Sequence, residues 1–282
     1  MTLSGINQYT ASLVGVRTNT FLGAGNILVS GPILGATNGS TVHLRKSGSG
    51  TLTLTANNTY GGLTAIGQGL LYLTGSITST GGVSVAGGSL GGTGTINDNV
   101  TVQNSTASGT IDALAVNGNF TISGPLAVDV NRSGLQSDKP TVSGGITNLG
   151  SGSIVVKNLG APLQAGDRFV LFNKAVVNGA SMTVNGGGAQ WNNNLATDGS
   201  ITVLSALPTT PTNITFSVTG NNVSLSWPSN YQGWILQAQT NSLSTGLSTN
   251  WVDVAGSDSV TNANMTINPA NGTVFYRLRL PQ

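Results

Sequence analysis

Between residues 50 and 204, apolar side chains alternate with Thr, Ser and Asn in runs of only four or five residues. Such runs cover 51–55, 63–66, 70–74, 82–85, 100–102, 113–116, 119–122, 126–130, 153–156 and 168–172. A period of two puts every second side chain on one face of a strand, so each run predicts a short β-strand with one apolar face. Gly-Gly, Asn-Gly, Ser-Gly and Asn-Asn pairs separate the runs. Glycine and asparagine tolerate positive φ, so these pairs predict tight turns.

Regularly spaced short strands fit a sandwich, a barrel or a solenoid. Three features favour the solenoid. The strands are very short, glycine pairs recur where a coil would turn, and 69–75 is echoed by 87–96. Self-similarity at such a spacing marks a stack of coils that bury their apolar faces against one another. At roughly 20–25 residues per coil, residues 1–206 should form one continuous parallel β-helix of about eight to ten coils. Leu52, Leu54, Leu63, Ile66, Leu71, Leu73, Val83, Val85, Val100, Val102, Phe120 and Ile122 should point inward. Signals at 12–16, 26–30 and 41–44 make 1–47 the first coils or an N-terminal cap.

Composition narrows the picture. Charged residues are 6% of 282, Gly numbers 41 and all eight acids are Asp. Good helix formers are scarce and β-branched residues common, which favours strands. An apolar share of 38% set in alternation can bury a core, which disordered chains cannot do. The net charge of +2 comes with scattered basic residues and no basic stripe, so no nucleic-acid partner is expected. Cysteine is absent. No apolar run approaches the ~20 residues of a membrane helix. Met1-Thr2-Leu3-Ser4 shows no basic-then-apolar export signal, which implies a processed chain or a fragment.

The stretch Ser49-Gly50-Thr51-Leu52-Thr53-Leu54-Thr55-Ala56-Asn57-Asn58-Thr59-Tyr60-Gly61-Gly62, with Leu63 to Leu73 after it, resembles the autotransporter-associated β-strand repeat of bacterial surface passengers. The runs 87–102, 114–122 and 165–172 resemble later parts of such passengers, in the same order, so the likeness covers about 48–204. It implies a right-handed parallel β-helix at the bacterial cell surface or outside the cell. The family's C-terminal outer-membrane barrel has no counterpart here, so self-secretion through an own pore is not expected.

A composition shift marks a second domain. Residues 207–212, with Pro208 and Pro211, read as a stiff linker. Six strand signals follow, at 214–218, 223–227, 234–239, 251–254, 265–267 and 274–280. Trp227 and Tyr276 in alternating runs make 213–282 resemble a fibronectin type III or immunoglobulin-like β-sandwich. The ending 275–281 resembles C-terminal modules of surface proteins from Verrucomicrobia-like bacteria. A sandwich of six strands lacks its seventh, which predicts an assembly edge along Val274, Tyr276, Leu278 and Leu280.

Candidate chemistry is sparse. The chain has one histidine, His43, on a strand-like run where it alternates outward, so no triad is expected. No cofactor is implied. Metal sites need clustered ligands, and the aspartates stand apart; Asp98 and Asp112 are the best placed. Asp129, Arg132, Asp138 and Lys139 form the one dense charge cluster, on a stretch that reads as a loop leaving the coil. Glycoside hydrolysis needs a carboxylate pair, which Asp129 and Asp138 could formally supply; a solvated loop is the plainer reading. Tyr60, Tyr72 and Trp191 could stack on sugars, or pack in the core and at corners. Asn-x-Ser/Thr triplets abound, and Asn and Thr stacked at equivalent corners could share hydrogen-bond ladders.

The leading expectation is therefore a non-catalytic extracellular rod that assembles head-to-tail with copies of itself. An adhesin holding extracellular glycans is the competing class, and a polysaccharide-degrading β-helix enzyme the third.

Overall fold

A computed structural model of the protein describes residues 1–6, 14–268 and 271–280. Two compact units make it up. The first comprises Met1–Ala161, Asp167–Val184 and Asn192–Thr202. The second comprises Pro162–Gly166, Asn185–Trp191 and Val203–Gln282.

Three parallel sheets build most of the first unit, and a further sheet holds Gln136–Ser137, Pro125–Asn131 and Ser153–Asn158. One runs Thr2–Leu3, Ile27–Val29, Thr51–Leu54, Leu70–Leu73, Ser89–Gly92. The second, seven-stranded, runs Val16–Phe21, Thr41–Lys46, Thr64–Ile66, Val83–Ala86, Val100–Asn104, Phe120–Ile122, Ile146–Asn148. The third runs Asn57–Asn58, Ser76–Ile77, Thr95–Ile96, Ala115–Val116, Thr141–Val142. The chain visits them in turn, so each strand's hydrogen-bonded neighbour is the equivalent strand of the next circuit. This is an all-β chain with parallel sheets, the arrangement a β-helix requires.

Register follows from the alternation. In the second sheet Leu44, Thr64, Val83, Val100, Phe120 and Ile146 stack in one inward rank, and Lys46, Ile66, Val85, Val102, Ile122 and Asn148 in another. Between them Arg45, Ala65, Ser84, Thr101, Thr121 and Thr147 line up on the outer face. A slip of one residue would exchange the two faces, so burial fixes the register.

Of the residues expected inward, Leu63 is the exception. It is half-buried on the outer side, and Thr64 takes the inward place at 0% exposure. The Thr64 hydroxyl is satisfied there by the Tyr60 hydroxyl at 2.6 Å, which lets a threonine occupy an apolar rank.

Corners are set by glycine. Gly69 has φ +70°, and a Cβ on it would lie 2.2 Å from the Gly48 carbonyl oxygen. A Cβ on Gly48 would in turn lie 2.1 Å from that of Gly23. Successive circuits thus touch backbone to backbone, at a distance no side chain permits.

Polar side chains make the same joins. Asn117 Nδ2 donates to Asn97 Oδ1 at 2.8 Å, and Asn97 Nδ2 to Thr78 Oγ1 at 3.1 Å, the expected Asn/Thr ladder. Buried Asn58 accepts from Ile33 N and donates to the Ala56 and Ser76 carbonyls. Buried Lys46 donates Nζ to the Gly48 and Gln68 carbonyls, and burial lowers its pKa.

Two expectations for this unit are corrected. Parallel stacking does not continue to residue 206: Arg168–Val170 pairs antiparallel with Ser200–Ala206. A single helical turn, Leu195–Asp198, ends at left-handed Gly199 (φ +77°) and reverses the chain. The longest parallel sheet has seven strands and ends at Ile146–Asn148. Circuits are also uneven, since ladder bonds span 19, 20, 25 or 26 residues.

The second unit has two three-stranded antiparallel sheets. One is Thr215–Thr219, Asn222–Ser226, Asn262–Thr266; the other is Val252–Asp253, Ile235–Asn241, Thr273–Arg279. The six strand signals each correspond to one of these. Leu207, Leu225, Trp227, Tyr231, Trp234 and Leu236 form its core. Residues 207–212 are docked on this unit: Tyr231 donates its hydroxyl to Thr210 O, Trp234 donates Nε1 to Pro208 O, and Leu207 is buried. Arg277 lies over the Trp251 ring at 4.2 Å, a cation–π contact.

Close approach at the corner predicts unequal tolerance of two neighbouring glycines. Gly69→Ala should destabilise by roughly 1–3 kcal/mol or more, from positive φ and backbone overlap. Gly67→Ala should be nearly neutral, because the nearest atom to its Cβ is Lys46 O at 3.8 Å. Denaturant unfolding of both variants checks this; equal stabilities would contradict it.

Candidate functional site

The aspartates read as a loop cluster are brought together, but as part of a strand and its return. Asp129 lies within Pro125–Asn131, which pairs parallel with Ser153–Asn158 and antiparallel with Gln136–Ser137. The stretch turns back because Asn131 Oδ1 accepts from Ser133 N and Gly134 adopts φ +74°. Asp129 N donates to Asp138 Oδ2 at 2.8 Å, and Asp138 N to the Asp129 carbonyl at 2.9 Å. Arg132 points elsewhere, to Asp167 at 3.0 Å. Lys139 contributes its backbone N–H to Asp112 O.

A third carboxylate joins them. Asp112 N donates to Asp138 Oδ1 at 2.8 Å. Asp112 Oδ1 accepts from Gly92 N and Thr110 Oγ1 at 2.8 and 3.1 Å. Asp129 Oδ2 accepts from Gly109 N at 2.8 Å, and Ser108 Oγ contacts both Asp112 and Asp129. Sequence reasoning missed Ser108 and Gly109. Their signal was Ser108-Gly109-Thr110-Ile111-Asp112, hydroxyls and a carboxylate two residues apart, which is turn chemistry.

Beside this cluster is a cavity of about 70 Å³. Leu90, Val102, Leu114, Phe120, Leu126 and Phe172 are among its apolar walls; Ser105, Thr106, Ser108, Asp112 and Asp138 also line it.

Burial dominates the electrostatics. It pushes Asp138 up to about 7, with the charges of Asp129 and Asp112 adding to the rise and two backbone N–H donors opposing it. Burial also raises Asp129, against the pull of Gly109, Ser108 and Lys157. The carboxylates' oxygens are turned to backbone donors, an arrangement that ties loops to circuits.

The other candidates are separate. His43 Nδ1 accepts from Leu63 N at 2.8 Å. Asp98 accepts from Gly82 N and Asn99 N, both at 2.7 Å, and so caps a turn. Among the described residues no group of three or more His, Cys, Asp or Glu could hold a metal. Tyr60 is fully buried, so its ring is closed to a ligand. Tyr72 is half-buried on the first sheet's outer face. Trp191 belongs to the other unit, where its Nε1 donates to Gly186 O. Val274, Tyr276, Leu278 and Leu280 are half-buried; the last three pack against the second core. Their strand, Thr273–Arg279, is the last in its sheet order.

Residues 44–71 match the family model described as passenger-associated-transport-repeat. The match supports an autotransporter passenger repeat and points to a secreted or cell-surface protein. It does not reach the C-terminal module. No curated protein and no solved structure matches the chain. No helix among the described residues is long and apolar enough to cross a membrane.

The matched stretch runs from one inward leucine to another and contains Lys46, Gly48, Asn58, Tyr60, Thr64 and Gly69. Lys46, Gly48, Asn58 and Gly69 join, or let meet, neighbouring circuits, and Tyr60 satisfies the inward Thr64 within one circuit.

Asp138 sets the pH dependence. Its ordinary pKa is 3.8, and folded it holds its proton up to about 7. The folded state therefore binds more protons across that window, and stability falls as pH rises through it. Asp198 and Asp253 are lowered, Asp198 first by Ser200 and then Arg168, Asp253 first by Gln237; their contribution is lost only below the ordinary 3.8. The thermal midpoint should be higher near pH 5 than near pH 8, and Asp138→Asn should flatten that slope. Calorimetry at fixed ionic strength checks it; a higher midpoint at the alkaline end would contradict it.

Proposed function

We propose that the chain is a non-catalytic structural segment of a bacterial surface passenger. In this reading the parallel-stacked part of the first unit, as far as Ser153–Asn158, is a β-solenoid rod and 213–282 a fibronectin-like sandwich. The observation that carries it is the stacking of inward and outward ranks from strand to strand across the seven-stranded sheet, with a register shift only after Val85, where Ala86 pairs with Asn104. Polar groups that might have done chemistry are engaged in that stacking: Lys46 and Asn58 hold carbonyls, and Asp98, Asp112, Asp129 and Asp138 hold backbone N–H groups. A function that needs length and a polar surface is met by such a chain without a reactive centre.

Head-to-tail assembly belongs to the same reading. Among the described residues Val16–Phe21 and Thr273–Arg279 each end their sheet order. Free edges accept strands from other chains, and heterologous contacts between unlike edges propagate into filaments. Glycan binding is the second reading. It rests on Tyr72, half-buried on the first sheet with Leu70 two residues before it on the same strand and Leu28 beyond Thr53 in the same rank.

Sedimentation and negative-stain imaging over a wide concentration range test the assembly. Growth into filaments is expected, and Thr18→Lys with Thr20→Lys on the Val16–Phe21 edge should suppress it by charge. A monomer at every concentration would refute assembly and leave glycan-array binding to judge the second reading. Loss of a polysaccharide-cleaving activity in an Asp129→Asn, Asp138→Asn double variant would refute the non-catalytic reading.

A further inference from the structure

The strap of residues 105–112 crosses from Val100–Asn104 to Ala115–Val116 and supplies one side of the cavity described above. Its hydrogen bonds do not balance. Ser108 Oγ faces three acceptors: Asp112 Oδ2 in close contact, the Thr110 carbonyl at 3.1 Å and Asp129 Oδ2 at 3.2 Å. The hydroxyl has one proton. The Asp112–Ser108–Asp129 chain alone has two oxygen–oxygen contacts and needs two. Serine supplies one, and a proton on a carboxyl would supply the other.

The surroundings offer little else to neutralise it. Asp129 is 0% exposed and Asp112 6%, and none of Asp112, Asp129 and Asp138 forms a salt bridge among the described residues. Asp129 Oδ1 is buried without a hydrogen-bond partner. Lys157 faces Asp129 in register from Ser153–Asn158. Lys139 adjoins Asp138, and Arg132 is turned to Asp167. Ser89–Gly92 contributes the Gly92 N–H and no titratable side chain.

We propose that Asp112, Ser108 and Asp129 share one bound proton that latches the 105–112 strap, so that losing this proton releases the strap and uncovers the apolar cavity beside it. With the proton present, Asp112 donates to Ser108 Oγ and Ser108 donates to Asp129 Oδ2, or the chain runs in reverse. Without it, Asp112 and Asp129 are both charged beside one shared hydroxyl, and the third carboxylate, Asp138, lies on the same backbone groups. Repulsion among buried like charges then works against the strap. Burial raises Asp129, the same direction as a proton held in the chain against loss. The device would tighten this part of the protein in mildly acidic surroundings and loosen it in alkaline ones.

Two measurements on the full chain test it. Side-chain carboxyl ¹³C NMR should show Asp129 titrating above the ordinary 3.8. Amide exchange at Gly92 and Gly109, corrected for the intrinsic rate, should quicken about tenfold or more between roughly pH 5 and pH 8. Asp129→Asn, whose amide brings its own donor, should weaken that pH dependence, leaving the part that Asp138 contributes. Ser108→Ala should lower it at every pH. The proposal is overturned if Asp129 titrates in the ordinary range, if protection does not change with pH, or if Asp129→Asn keeps the wild-type dependence. Should that variant fail to fold, the wild-type NMR titration decides alone.

Discussion

Neighbouring circuits of the first unit meet at backbone distance, and the rest of that unit depends on the contact. A strand such as Asn57–Asn58 has two residues and cannot persist alone. It exists because the circuit on either side supplies hydrogen-bond partners along its length. That demands that nothing intrude at the corners, which is why Gly48 and Gly69 stand where a Cβ would overlap a carbonyl oxygen. It also demands that each inward side chain resemble the one stacked on it. Val83 on Val100 and Ile66 on Val85 meet the demand with apolar volume. Thr64, Asn58 and Lys46 meet it with polar groups whose hydrogen bonds close locally.

The same accounting explains the aspartates. A strap or return that leaves the stack carries backbone N–H groups without a strand partner, and such groups need acceptors when buried. Asp138 serves two of them, Asp129 one and Asp112 one. A charged acceptor makes a strong bond but is costly to bury. Placing three together concentrates that cost, and a shared proton lowers it. The cluster thus grows out of a structural need, and its sensitivity to protons is a consequence of where the need arises.

Much of this was legible in the chain. Alternation at 51–55 and 70–74 located strands within a residue or so, because one buried face imposes a period of two. Leu63 was misplaced because Leu63-Thr64-Ala65-Ile66 alternates either way, and only the Tyr60 hydroxyl makes Thr64 acceptable inside. The end of parallel stacking was hidden because 168–172 reads as a strand whichever way its partner runs. The site was legible only in part. Asp129 and Asp138 stand nine residues apart with a turn between them. Asp112 and Ser108 reach them from the previous circuit, 20 or so residues away, and nothing local signals that meeting.

The in-register ranks are the central claim, and cysteine-free chemistry tests them directly. The chain has no cysteine, so an introduced pair reports only on itself. Ser84 and Thr101 are stacked register partners on the outer face, and Thr121 lies one circuit beyond Thr101. A disulfide needs Cα atoms within about 7 Å. Mild oxidation of Ser84→Cys with Thr101→Cys should close an internal disulfide rapidly, while Ser84→Cys with Thr121→Cys should not. Failure of the first pair, or equal closure of the second, would contradict the stacked register on which this account rests.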